Sequence, residues 1–435
     1  MAKSHSTKPF YNSTIPSDWT TPEFGTVFSF LKSFSFSREQ LTNEKTADEI
    51  QNIHYGDIHA TFENEILDFE MEKRIPYVKD GLISNETATD EEFPLLKDGD
   101  LIIADASEDY VGVAECVELR NVNGRKIISG LHTFAARDKY GKTAAGYRTY
   151  ILNHPQVVRE LRRIATGFSV FGVSKTNLAK IKLPLPPPKE QQAIADLLHL
   201  MDTAINKNNL LIEKKLLQKK GLMQKLLTGE KRLKGFEKEK WKEYHLEDLY
   251  KHMKGQLLSK DKLDASGKFK CVLYGELFTT YKEVIQTVKS KTNFEEGTLS
   301  KYGDILMPGS TTTTGIDLTV TSAILEDDVL LGGDINIFRM ENDLTEPIFM
   351  SYFLTHTQKR KVLRMAQGIT IIHLYGSDLL PIKFFIPSKN EQKEISKVLQ
   401  VSDNEIQILK TQTEKMREKK KGLMQQLLTG KIRLK

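Results

Sequence analysis

At 435 residues the chain is too long for one ordinary hydrophobic core, and 39% hydrophobic with 28% charged residues describes folded soluble domains. No apolar run approaches bilayer length and MAKSHSTKPFYN lacks the hydrophobic centre of a secretory signal, so the expected location is the cytoplasm, with no membrane partner. Cys116 and Cys271 lie far apart without CxxC or Cys-His spacing, which suggests neither a disulfide framework nor a zinc site and predicts two buried thiols.

Taken in order, residues 1–14 read as a polar, disordered tail. Residues 15–187 form a first domain that opens near Trp19 and alternates short β-like runs with Gly, Asp and Asn turns. KRIPYV, DLIIAD, VGVAECVEL and KIISGLHTF are its predicted strands, and HPQVVRELRRIATG its clear helix, over about 154–165. The Pro-rich exit IKLPLPPP ends a strand and starts a long helix with linker, residues 188–234. A second domain, residues 235–387, opens near Trp241, and a second long helix occupies residues 388–435.

The helices are copies of each other. Residues 167–234 lie over residues 368–435 without a gap, placing Glu190 and Gln191 on Glu391 and Gln392, Asp202 on Asp403, and GLMQKLLTG on GLMQQLLTG. Pro188 suits the first helical position, and Ser388 with Glu391 spells a capping box. Gly229 and Gly430 are expected as left-handed C-terminal caps. About forty residues between start and stop give roughly 60 Å of helix.

Apolar residues recur at alternating steps of four and three. The first helix gives Ile194, Leu198, Met201, Ile205, Asn208, Ile212, Lys215, Lys219, Leu222 and Leu226; the second gives Ile395, Leu399, Ser402, Ile406, Leu409, Thr413, Met416, Lys420, Leu423 and Leu427. This is a coiled-coil seam with polar breaks. Antiparallel pairing brings Ile194 to Leu427, Leu198 to Leu423, Leu226 to Ile395, and Asn208 to Thr413, a polar pair that would fix the register. Gly221 and Gly422 cost the helices roughly 1 kcal/mol each against alanine, and their recurrence predicts that another backbone approaches there.

The domains repeat too. YGDIHATF, residues 55–62, matches YGELFTTY, residues 274–281; DGDLII matches YGDILM, and IISGLHTF matches LLGGDINIF. The predicted fold class is α+β: two similar mixed α/β domains separated by two long antiparallel coiled-coil helices, a pseudo-two-fold internal repeat.

Catalytic chemistry has no visible home. GSTTTTG, residues 309–315, lacks the Lys-Ser/Thr of a P-loop, no GxGxxG, HExxH or GxSxG occurs, and the scattered histidines leave His54 and His59 without a third ligand. No metal site and no cofactor bound by this chain are expected. The net charge of +5, with lysines crowded over 214–242 and 410–435, hints at an anionic partner.

Two divergent domains, each followed by a long helix that begins P-x-x-x-E-Q and ends GLMQ-x-LLTG, resemble the specificity subunit of Type I restriction-modification enzymes. The resemblance covers nearly the whole chain. It implies that each variable domain is a target recognition domain reading one half of a bipartite, asymmetric double-stranded DNA target. It also implies that the helices hold the domains apart and dock two methyltransferase subunits. Those bring S-adenosylmethionine and methylate adenine, a motor-nuclease subunit joins for restriction in phage defence, and the specificity subunit itself is not an enzyme.

Base edges are read by Arg, Lys, Asn, Gln and hydroxyl side chains, and phosphates by Lys, Arg, Ser and Thr. On that ground the DNA-binding candidates of the first domain are Lys142, Thr143, Tyr147 and Arg148 in GKTAAGYRT, and Ser169, Ser174 and Lys175 in SVFGVSK. In the second they are Ser310, Thr311, Thr312, Thr313, Thr314, Thr370, His373, Tyr375 and Arg339, with Arg125 and Arg137 of the first domain added. The rival reading is a coiled-coil scaffold that binds protein or RNA; steep salt dependence with sequence selectivity on duplex DNA separates the two.

Overall fold

The computed structural model describes residues 6–62, 64–83, 93–110 and 112–434. Residues 1–5 of the expected tail lie outside the described residues. The remainder is not a tail: Thr7–Phe10 and Ser13–Pro16 pair antiparallel and bury Phe10 and Ile15. Those two apolar residues in a polar stretch are what the tail reading passed over.

The chain divides into two compact units, Met1–Asn209 with Gln412–Lys435, and Leu210–Thr411. Each therefore contains one domain, the start of the long helix that follows it and the end of the other long helix.

In the first unit a five-stranded sheet runs Phe28–Leu31, Thr133–Asp138, Leu101–Ala104, Cys116–Arg120, Ile66–Asp68, antiparallel except for the last pair. Its central strand reads LIIA and is buried throughout, because both faces are covered. Leu101 and Ile103 enter a core with Trp19, Phe24, Tyr150, Ile194, Leu198 and Leu427, while Ile102 and Ala104 enter another with Ile53, Phe69 and Ile127. The second unit repeats this sheet as Tyr250–Lys254, Ile335–Met340, Ile305–Pro308, Ser322–Ile324, Val284–Ile285, again with only the last pair parallel.

The smaller four-stranded sheets differ at their edges. Both contain a parallel pair, Ile50–Ile53 with Lys126–Ser129 at one edge of the first and Phe269–Val272 with Leu330–Leu331 at the centre of the second. In the first domain the extra edge strand, Leu41–Thr42, pairs with Tyr77–Val78; in the second, Thr298–Leu299 pairs with Leu330–Leu331, on the opposite side of the sheet. Local strand signals do not distinguish these, since edge choice depends on loop length and cover.

The long helices are Pro188–Leu227 and Lys389–Leu428, 40 residues each. Gly229 and Gly430 follow them with φ +74° and +67°. A Cβ at Gly430 would stand 2.3 Å from the Pro16 ring, so glycine is required there by space as well as by conformation. The start of the first helix shares a core with the end of the second (Ile194, Leu198 with Leu423, Leu427 and Leu428). Leu222, Leu226 and Leu227 share the other with Ile395 and Leu399, as antiparallel pairing requires. Asn208 donates to the Met416 sulfur at 3.6 Å.

Three expectations about the helices are corrected. The Ser388 hydroxyl donates to Glu239, and the Glu391 carboxylate takes the Arg232 guanidinium at 2.8 and 2.5 Å, so the sequence pattern of a capping box is used for tertiary contacts. Lys219 and Lys420 are not open breaks in the seam. Lys420 Nζ lies 2.6 Å from Asp202 and 2.5 Å from Glu65, and Lys219 Nζ lies 2.5 Å from Asp403. The hydroxyls of Tyr150 and Tyr352 donate to those same aspartates. Finally, a Cβ at Gly221 or Gly422 would meet nothing within 4 Å, so among the described residues no other backbone approaches either glycine.

The tryptophans anchor both domains alike. Arg433 stacks over Trp19 and Arg232 over Trp241, each 5.8 Å from the ring centre, while the same arginines pair with Glu190 and Glu391. Cys116 and Cys271 are both buried, and burial pushes their thiols up to about 12 and about 11, far from a reactive thiolate.

Candidate nucleic-acid interface

Several nominated side chains prove to be braces. Arg339 forks onto Asp304 at 2.9 and 2.7 Å and reaches the Leu299 carbonyl at 2.8 Å; Arg137 does the same to Asp100, at 2.8 and 2.6 Å, and to the Leu95 carbonyl at 2.9 Å. Both aspartates are 1% exposed, and a buried carboxylate needs its cation.

Arg148 donates to the Gly99 carbonyl at 2.8 Å and to Thr143 Oγ1 at 2.9 Å, and stands 3.9 Å from Glu118. A Cβ at Gly99 would overlap the guanidinium, which explains a glycine at φ +83° there. Thr143, itself buried, donates to Asp138, and the Tyr147 ring is 1% exposed with its phenol pushed up by burial. GKTAAGYRT is therefore largely framework, and of its four nominated residues only Lys142, whose Nζ sits 4.9 Å over the exposed Tyr140 ring, is fully on the surface.

Burial raises the Glu118 carboxyl to about 7, although it accepts backbone N–H bonds from Gly146 and Arg148 at 2.6 and 2.9 Å. Desolvation outweighs the hydrogen bonds and the nearby guanidinium. These groups hold a loop in place and face no opening, so they are not read as a reactive site.

The nominated loops come together on small strands. In the second domain Ser310–Thr311 pairs with Ile372–His373, joining the threonine loop to the segment that carries Thr370, His373 and Tyr375. Ser310 and Thr311 are buried, bonded to Asp334 at 3.1 Å and to Thr313 at 2.8 Å; Thr312, Thr313, Thr314 and Thr370 are exposed. His373 stacks near-parallel to Tyr375, and the Lys254 ammonium lies 5.4 Å from the Tyr375 ring centre.

In the first domain Phe171–Gly172 pairs with Ala106–Ser107, so residues 105–110 occupy the place of 309–314. Ser169, Ser174 and Lys175 are exposed there; Ser174 also caps Lys175–Ala179, accepting from Asn177 N at 3.2 Å. Arg125 lies over the Phe69 ring.

Lys254, Tyr110, Tyr140 and the 105–110 loop escaped sequence reasoning. Continuing the match of DGDLII with YGDILM would have found that loop, since DASEDY then falls under GSTTTT. Beside it opens a cavity of about 530 Å³ lined in part by Tyr55, His59, Ser107, Asp109, Glu115 and Arg162. His59 faces Glu115 at 2.7 Å and the Ala106 carbonyl at 3.1 Å, so both ring nitrogens meet acceptors. The bond to Glu115 leads the causes that raise its pKa.

Among the described residues no three His, Cys, Asp or Glu side chains are grouped to hold a metal ion, and no helix is long and apolar enough to cross a membrane.

The model of the Type I restriction modification DNA specificity domain matches this chain twice, over residues 16–215 and 238–418. A MjaX type I restriction enzyme specificity subunit of Methanocaldococcus jannaschii is 26% identical over 367 residues, covering 78% of this chain and 79% of that protein. The MjaVIII type I restriction enzyme specificity subunit of the same organism is 28% identical over 291 residues, covering 63% and 68%. The fold is that of the S subunit of a Type-I restriction-modification system from M. genitalium, with TM-score 0.53 and 15% identity over 97% of this chain and 98% of that one. A structure from work on complex assembly and conformational transition of the type I R-M system aligns with TM-score 0.55, 15% identity and the same coverage. The chain belongs to the Type I restriction-modification DNA specificity family and is a non-catalytic DNA sequence-recognition subunit.

Proposed function

We propose that each domain reads one half of a bipartite, asymmetric duplex target. In this reading the long helices set the gap between the halves and dock two methyltransferase subunits, which carry S-adenosylmethionine and methylate adenine. Motor-nuclease subunits join the same complex for restriction, and the assembly works in the cytoplasm.

One observation carries the two-half reading. The domains keep the same frame, Arg137 on Asp100 and Arg339 on Asp304, yet display different side chains at the same surface strands. Residues 105–110 read DASEDY where 309–314 read GSTTTT, and 168–173 read FSVFGV where 369–374 read ITIIHL. Shared bracing with divergent exposed chemistry suits two readers of two sequences.

The test is a map of methylated adenines in DNA from cells expressing this chain with its neighbouring methyltransferase subunit. A single bipartite motif with a fixed gap, lost when this chain is omitted, is the expected result. Methylation that is unchanged without the chain would favour a coiled-coil scaffold for protein or RNA instead.

A further inference from the structure

One surface position recurs in both domains and is not used by the framework. Thr166 and Gly172 exchange backbone hydrogen bonds of 3.0 and 2.8 Å, and Gln367 and His373 exchange bonds of 2.9 and 2.7 Å, so residues 166–172 and 367–373 form equivalent narrow hairpins. Gly167 and Gly368 open the turns with φ +131° and +120°, and a Cβ there would lie 1.8 Å from the Val170 carbonyl oxygen or 2.1 Å from that of Ile371. Only glycine permits so tight a turn. The returning strands are held by Ala106–Ser107 and Ser310–Thr311.

At the tips stand Phe168, 102% exposed, and Ile369, 98% exposed, followed by the partly exposed Val170 and Ile371. A single exposed apolar residue is ordinary. Two fully exposed ones, at equivalent positions of a braced hairpin in both repeats, are a shared feature. The helices that lead into the hairpins, Pro155–Ile164 and Lys359–Met365, also match: Arg159 and Arg163 in the first, Arg360 and Arg364 in the second, are all exposed and spaced i, i+4 on one face, and Arg163 donates through Nε to the buried Glu160 at 2.7 Å while its side chain stays 70% exposed. An apolar tip beside a pair of exposed guanidinium groups has the chemistry of a wedge into nucleic acid, with cations for the flanking phosphates and a side chain for the base stack.

We propose that Phe168 and Ile369 are apolar wedges, one per half-site, each entering a base step of duplex DNA while the neighbouring arginines hold the backbone. This rests on the two-half reading above. It adds a specificity term that hydrogen-bond donors do not supply, because the deformation of a step depends on its sequence. Phenyl and sec-butyl tips differ in width and stacking, so the two half-sites differ in the steps they allow.

The experiment uses the complex of this chain with its methyltransferase subunits and a duplex bearing the motif found by methylation mapping, with 2-aminopurine placed in each half-site in turn. The unsubstituted complex is expected to raise the fluorescence at one step of each half. Phe168→Ala should abolish the rise in one half only and weaken binding roughly tenfold, with the salt slope unchanged because a phenyl ring displaces no counterion. Ile369→Ala should do the same in the other half, and Phe168→Leu should keep most of the signal. Thermal midpoints should not move, since neither side chain is packed.

Wild-type affinity and fluorescence in both alanine variants would overturn the wedge, as would loss of methyltransferase subunits with DNA contact intact. A complex that selects no sequence at all would instead defeat the two-half reading, and the wedge with it.

Discussion

Buried carboxylates decide what the arginines of this protein do. Glu118, Asp100 and Asp304 are each 1% exposed, and each holds a guanidinium that would otherwise be free to read DNA. Arg148→Ala is therefore expected to destabilise the first domain by about 3 kcal/mol, since it strands a buried acid and frees the Thr143 and Gly99 acceptors. Sequence preference should stay as it is. Denaturant midpoints measure the first effect, and an unshifted midpoint with one weakened half-site would return Arg148 to the interface.

His154 offers a pH test at the same scale. Its Nδ1 caps the helix Pro155–Ile164, accepting from Gln156 N at 3.1 Å, and burial lowers its pKa from 6.5 to about 4. The unfolded chain takes up this proton below about pH 6.5 and the folded chain does so only near pH 4. The neutral ring's contribution is thus complete above pH 6.5 and is lost as pH falls, by about 3 kcal/mol when pH 4 is reached. His154→Asn keeps a capping acceptor and removes the titration. Stability difference between variant and parent should then narrow or reverse between pH 7 and pH 4.5; parallel curves would show that His154 stays protonated or exposed.

Among the elements, the long helices are the best defined by their own residues and also contain the clearest unexplained choice. Tyr150 with Asp202 and Lys420, and Tyr352 with Asp403 and Lys219, clamp each domain to the helix pair. At Gly221 and Gly422, by contrast, a Cβ would meet no described residue within 4 Å. Replacing either by alanine should stabilise the free chain by about 1 kcal/mol. If the glycines admit a methyltransferase subunit, that gain comes with weaker co-purification of the subunit; stabilisation with unchanged assembly would remove them from that contact.

At this scale the sequence was legible where signals are local. Helix length and the left-handed glycine caps depend on residues a turn or two apart, and they appear where the pattern puts them. The capping box at Ser388 was misread because Arg232 and Glu239 compete for the same two side chains, and neither is near in sequence.

For the whole molecule, helix length is the quantity to vary. Adding one heptad to both helices lengthens each by about 10 Å, or roughly three base pairs of rise. The methylated motif should then gain a longer non-specific gap or vanish, and an unchanged gap would show that the helices do not act as the ruler.

The duplication, the two-domain plan and the recognition function could be drawn from the sequence by itself, because a repeat and its end motifs survive as plain strings. Which side chains face DNA could not. Arg137 and Arg339 look like readers until Asp100 and Asp304, distant along the chain, close on them, and nothing local marks Phe168 and Ile369 as exposed until a glycine turn leaves them in water. Exposure and partnership are set by tertiary packing, which brings together groups far apart in sequence. Only the folded chain decides between brace and reader.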